Sequence, residues 1–334
     1  MSAHQHRPRS SPQHKYRRAL LLLLVFVAVF VGMLLFLDRS EEEAAPDSVL
    51  ETVEIGGVTC VPRHNLRTYL FMGIDNTGEE TEDYVYGSQC DTIRLVVVDE
   101  THNTLVQMPI NRNTLTDVHT YDSKTGEDLG TSYIQISFAH ATGGDKDGPK
   151  SCENVERAVS DLLYGQKIDG YLSLSMDGIQ ELNHQVGGVT VTIEDDFSRA
   201  DPSLVMGETI RLSDAQAEQF VRGRMSVGDG TNEGRMRRQN AYIEGLKTQM
   251  TEKIEADTSF AFDLFDALGP YMVTDMSKKE FGRIVNALVM YDAQEEVNLK
   301  GTVGTDELEF ATLELDRDSL NQAVIDLFYT RVED

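Results

Sequence analysis

The stretch Phe220–Asn240, FVRGRMSVGDGTNEGRMRRQN, carries five arginines (Arg222, Arg224, Arg235, Arg237 and Arg238) in a chain of formal net charge −26. Positive charge gathered this way in an acidic protein points to a site for an anion. The competing reading is a solvated helix face laced with i,i+4 ion pairs. Arginine's planar fork of donors matches phosphate oxygens two at a time. Two carboxylates stand where they could share that site. Asp75 ends the apolar run YLFMGID, at a strand end where α/β sheets commonly place their chemistry, and Asp91 opens the next run in QCDTIRL. Arg112 follows a third run, in MPINRNT. Aspartates among arginines are the groups that hold a polyphosphate with a divalent cation, because Mg²⁺ takes one or two carboxylates plus substrate phosphates.

Other chemistries lack their residues. GGDKDGPK (143–150) has the glycine spacing of a phosphate loop but places Pro149 where lysine is needed. Neither H-E-x-x-H nor G-x-S-x-G occurs, and His64, His102, His119, His140 and His184 make no metal-ligand spacing.

The elements that must position these groups follow from periodicity. Apolar and β-branched runs predict strands over 67–74, 92–99, 104–110, 171–176 and 189–195. Val155, Ala158, Val159, Leu162 and Leu163 recur at helical spacing over 151–165, with Gly165 as a stop. MDGIQELNHQVGGV predicts a short helix ending in a Gly-Gly turn. Ser213 and Gln216 have the spacing of a capping box at the start of a helix over 213–222. A further helix over 234–250 puts Arg235, Arg238 and Gln239 on one face and sends Arg237 elsewhere. Past residue 255, two or three helices and a strand over 296–304 complete the same core. The sum is an α/β fold, a single mixed-sheet domain flanked by helices.

Ala19–Leu37 is an apolar run of 19 residues, just long enough at about 1.5 Å per residue to cross a hydrocarbon core roughly 30 Å thick. HKYRR precedes it and DRSEEEAAPD follows, so a cytoplasmic tail (1–18), an uncleaved signal anchor (19–37), an acidic stalk (38–60) and an extracellular domain (61–334) are expected. Beyond the anchor the chain carries 25 Lys and Arg against 56 Asp and Glu, which argues against a nucleic-acid partner. Of the three cysteines, Cys90 adjoins Asp91 and Cys152 opens a helix that must pack on the same sheet. A Cys90–Cys152 disulfide with Cys60 free is the expectation for an extracellular domain without C-x-x-C.

The order LFMGID, CDT, NRNT, GGV, R-G-R and R-M-R-R-Q after a signal anchor resembles the LytR–CpsA–Psr family of membrane-anchored extracellular enzymes, over about residues 66–250. The resemblance implies that Asp75 and Asp91 are the magnesium-associated (or manganese-associated) carboxylates. It implies that Arg112, Arg222, Arg224, Arg235, Arg238 and Gln239 hold a lipid-linked pyrophosphate. Gln89 stands where the family often has arginine, and Asn111 and Asn113 replace the proline and aspartate of its P-R-D-T segment. The activity implied is transfer of a glycopolymer from polyprenyl pyrophosphate to peptidoglycan at the membrane. A polyprenyl-phosphate-binding regulator and a polyprenyl pyrophosphate hydrolase are the alternatives.

Overall fold

The computed structural model describes residues 52–75, 79–80, 85–223 and 225–332. The tail, the anchor and most of the stalk lie outside the described residues; among the described residues no helix is long and apolar enough to cross a membrane. The folded domain begins earlier than expected, at Thr52. Val53–Ile55 and Val58–Pro62 form a hairpin about Gly56 and Gly57, both at positive φ, and Val58–Pro62 pairs with Tyr329–Arg331. Cys60 is fully buried there, so this segment belongs to the domain.

The strands that matter for the site are β1 (Leu66–Ile74), β2 (Cys90–Asp99), β3 (Thr104–Ile110), β4 (Leu115–Tyr121), β5 (Asp128–Gln135), β6 (Gly170–Ser175), β7 (Met272–Thr274) and β8 (Asp292–Ala293). Six of them form one mixed sheet in the order β7-β6-β1-β2-β3-β8. β1, β2 and β3 run antiparallel to their neighbours in that trio, while β6 lies parallel to β1 and β8 parallel to β3. The longer helices are α1 (Pro149–Leu162), α2 (Met176–Val186), α3 (Asp214–Arg222), α4 (Asn232–Ala256), α5 (Phe260–Leu268), α6 (Lys278–Met290) and α7 (Arg317–Phe328).

Alternation along the strands divides the core in two. On β2, Ile93, Leu95 and Val97 join a cluster with α1 and α7, whereas Val96 and Val98 join a second cluster with α2 to α6. Helices therefore cover both faces, and each fully buried Leu or Ile contributes roughly 1.5–3 kcal/mol. The capping box of α3 is present in full, with Ser213 and Gln216 satisfying each other's backbone N–H groups. Gly187 ends α2 in the left-handed conformation, φ 82°.

Two expectations are corrected. The strand over 189–195 shrinks to Thr190–Thr192 and pairs with Thr209–Arg211 away from the central sheet. The strand over 296–304 starts only at Gly301 and pairs with Ala311–Leu315 in a separate hairpin, because Gly301–Thr305 is exposed along its whole length and has no face to bury. The β4–β5 hairpin, which the periodicity missed, is likewise exposed along most of β5.

Candidate functional site

Asp75, Asp91 and Arg112 converge at one end of the central sheet. β1 and β2 pair antiparallel up to Gly73↔Thr92, and the next pair is Ile74↔Cys90. Asp91 is thus the extra residue of a bulge, which turns its side chain out of the regular alternation. Asp75 directly follows the last paired residue of β1, so both carboxylates stand at neighbouring strand ends. Arg112 leaves the end of β3, two residues past Ile110.

Both oxygens of Asp91 are engaged. Arg112 donates through Nη1 to one and Arg235, from the first turns of α4, donates through Nη1 to the other. All three side chains are largely buried, with relative exposures of 8% for Asp91, 15% for Arg112 and 5% for Arg235. Arg112 also donates to Gln89 Oε1 and, at 3.5 Å, to Ser137 Oγ. Its Nε is buried and meets no acceptor among the described residues. Taking such a triad out of water costs several kcal/mol per ion, which mutual attraction and hydrogen bonds must offset.

The arginine-rich stretch divides. Arg235, Arg238 and Gln239 are buried and Arg237 is exposed, as the helix face required. Arg238, however, does not join Asp91. Its Nε donates to Phe220 O at 3.1 Å, its Nη1 to Asp195 and its Nη2 to Gly223 O, and its guanidinium lies 5.7 Å from the Phe197 ring centroid. It therefore clamps the end of α3 and the following loop. Gly223 suits that clamp, since a Cβ there would meet Val227 Cγ2 at 2.7 Å and Gln219 O at 2.8 Å. Arg222 is 52% exposed and pairs with Glu218 along its own helix, at 3.2 Å, so the structure does not bring it to Asp91. Arg224 lies outside the described residues. Asp229 accepts from Thr231 N and Oγ1, and Thr231 caps α4, so its role is to shape the turn that delivers Arg235.

Two cavities adjoin this cluster. A small polar one is bordered by Asp91, Arg94, Arg112, Gln239 and Asn240. A larger apolar one, of about 270 Å³, lies between the sheet and α2, α4, α5 and α6, with Leu172, Ile179, Leu246, Leu264 and Val285 among its walls. Thr92, Arg94 and Gln239 border both. Sequence reasoning missed Arg94 and Asp195. The signal for Arg94 was a lone charge inside the apolar run TIRLVVV; Asp195, in an acidic loop, carried none.

The donor set fits a divalent cation in kind. A carboxylate offers about four lone-pair sites, of which two on Asp91 serve the arginines, and Asp75 stands at the adjoining strand end. Among the described residues no group of three or more His, Cys, Asp and Glu side chains forms a metal site of its own, so phosphate oxygens and water would have to complete the shell.

The expected Cys90–Cys152 disulfide is absent: Cys60, Cys90 and Cys152 are buried free thiols. Cys90 Sγ is turned to Thr92 O at 3.2 Å and Cys152 Sγ to His140 Nε2 at 3.8 Å. Burial pushes the Cys90 thiol well above its ordinary range and Cys152 up to about 12, so neither is a ready thiolate.

A protein of Enterococcus faecalis named polyisoprenyl-teichoic acid–peptidoglycan teichoic acid transferase TagU is 26% identical over 267 residues, 79% of each chain. Biofilm regulatory protein A of Streptococcus mutans is 30% identical over 181 residues, 52% of this chain and 41% of that protein. Among solved structures, TagV of B. subtilis matches with a TM-score of 0.59 at 19% identity, covering 79% of this chain and 96% of that one. A TagT structure described as bound to LI-WTA matches with a TM-score of 0.59 at 17% identity, covering 79% and 90%. The profile of the LytR_cpsA_psr family matches residues 40–326, and the chain belongs to that family.

Proposed function

We propose that the protein transfers a glycopolymer from a polyprenyl pyrophosphate carrier to a sugar hydroxyl of peptidoglycan, working outside the cell from a single N-terminal membrane anchor. The observation that carries this reading is the wall that the two cavities share. An apolar volume of about 270 Å³ shares Thr92, Arg94 and Gln239 with a pocket walled by Arg112 and Asp91. A lipid with an anionic head has the chemistry to fill both. The names of the relatives TagU and TagV support the substrate class.

On this reading Arg112 and Arg235 exchange part of their hold on Asp91 for the pyrophosphate, and the buried Nε of Arg112 gains an acceptor. Gln239 supplies amide contacts at the boundary, and Arg238 acts by holding Gly223 at the end of α3. The acceptor hydroxyl oxygen bonds to the glycan-side phosphorus. The bond from that phosphorus to the bridging oxygen breaks, and the electron pair leaves with the polyprenyl phosphate. Asp75 or Asp91 takes the hydroxyl proton. Mg²⁺ or Mn²⁺ held by these two aspartates would neutralise charge on the phosphates. Fixed guanidinium groups at the leaving phosphate supply the electrostatic stabilisation such a step needs.

The test is turnover of a polyprenyl-pyrophosphate-linked saccharide with and without peptidoglycan fragments. Release of polyprenyl phosphate that requires the fragments, with a phosphodiester on the acceptor, is the expected result. Equal release without them would make the protein a hydrolase. Binding without any release would make it a regulator, the reading that the relationship to the S. mutans protein keeps open.

A further inference from the structure

Arg94 is the one charged residue in the run Ile93–Val98, and alternation along β2 turns it, with Thr92 and Val96, toward the apolar cavity. It is 8% exposed. A guanidinium this deep is costly unless its five N–H groups find acceptors. Three do. Nη1 donates to Gln107 Oε1 at 3.0 Å and to Glu296, and Nη2 donates to Asn240 Oδ1. Nε is buried and has no partner among the described residues. By count one Nη2 hydrogen also remains, on the atom that shares a fork with Nε. Native interiors seldom leave such donors unmet.

The position of the unmet donor says what would meet it. Arg94 borders the small pocket with Asp91 and Arg112, and it borders the apolar cavity with Leu172 and Ile179. It therefore stands in the wall shared by a place for charge and a place for hydrocarbon. An anionic oxygen attached directly to an apolar chain is the group that suits such a boundary. Gln107, Asn240 and Glu296 hold the guanidinium in place before a ligand arrives.

We propose that Arg94 is a donor-binding residue that takes the lipid-proximal phosphate through Nε and Nη2, and so selects prenyl phosphates over uncharged prenyl lipids. The inference rests on the donor reading above and adds to it the residue that reads the junction of chain and head. Glu296 tunes that grip, because its carboxylate competes with the phosphate for the same cation.

The test uses full-length protein in detergent micelles and three probes of equal chain length, a C15 isoprenyl diphosphate, the monophosphate and the alcohol, with affinities read by titration calorimetry. Arg94→Met should weaken the diphosphate and the monophosphate about ten-fold or more and leave the alcohol within about two-fold, as expected for loss of a charged hydrogen-bonding pair. Glu296→Gln should strengthen the two phosphates several-fold and leave the alcohol unchanged. A merely structural role for Arg94 predicts equal losses for all three probes with Arg94→Met and no gain with Glu296→Gln, and either result overturns the proposal. If Arg94→Met does not fold, the sign of the Glu296→Gln effect decides alone. Wild-type protein that binds none of the probes would overturn the donor reading itself.

Discussion

Asp91→Asn keeps the shape of the side chain and removes the charge that two buried arginines share. Arg112 and Arg235 are 15% and 5% exposed, and both donate to Asp91. Removing one partner of a buried ion pair leaves the other charge uncompensated, which destabilises by about 3–5 kcal/mol. In a domain of this size each kcal/mol moves the melting temperature by about 2–4 °C, so a drop of roughly 6–20 °C is expected. The second half of the prediction is more specific. If the arginines form an anion site, inorganic pyrophosphate should replace the lost carboxylate and raise the melting temperature of Asp91→Asn by more than it raises that of the wild type. Thermal denaturation of both proteins across a pyrophosphate series measures this. A variant that loses less than about 1 kcal/mol, or that gains no more from pyrophosphate than the wild type does, would refute the view that Asp91 holds the place of an anion.

Arg238→Ala should cost about 2 kcal/mol or more, because it strips the donor from Asp195, Phe220 O and Gly223 O, whereas Arg237→Ala and Arg222→Ala should each cost less than about 0.5 kcal/mol; urea unfolding ranks them. Asp75→Ala should abolish Mg²⁺-dependent turnover, and EDTA should do the same to the wild type; full activity in EDTA removes the metal from the account. Burial raises the Asp99 carboxyl, but hydrogen bonds from His102, Arg63 and the Thr101 N–H outweigh it and hold it at about 2 rather than 3.8. The depressed value means that its contribution is complete above about pH 4 and is lost as pH falls through about 2, so Asp99→Asn should flatten the stability curve in that window. Cys60, Cys90 and Cys152 should react with a thiol reagent only after unfolding, and all three should then react; a mass two units lower, with one thiol left, would restore the disulfide.

The sequence made the central strands legible because they are apolar on both sides. β3 begins and ends where its apolar run does, and β1 and β2 extend theirs by one and two residues. The helix face of α4 was legible for the same reason of period, with Arg235, Arg238 and Gln239 inside and Arg237 outside. The destination of each arginine was not. Arg235 and Arg238 share a helix face, yet one reaches Asp91 and the other Asp195, 104 positions further along the chain, and nothing local to the helix separates those partners. The disulfide failed because adjacency to one sheet says nothing about where a thiol points. Arg94 is hidden in a strand pattern made by its apolar neighbours, although the exception among them is the informative residue. Strand β5 and Gly301–Thr305 bury too little to leave a strong alternation.

The central claim is that the polar pocket at Asp91 and the apolar cavity beneath α4 are one lipid-donor site. A crystal structure of the protein with a bound isoprenyl diphosphate tests it most directly. The account predicts the diphosphate between Arg112 and Arg235, its lipid-proximal phosphate at Arg94, and the chain running past Leu172 and Leu246. A diphosphate bound elsewhere, or an isoprenyl chain lying outside that cavity with the cavity unchanged, would contradict it.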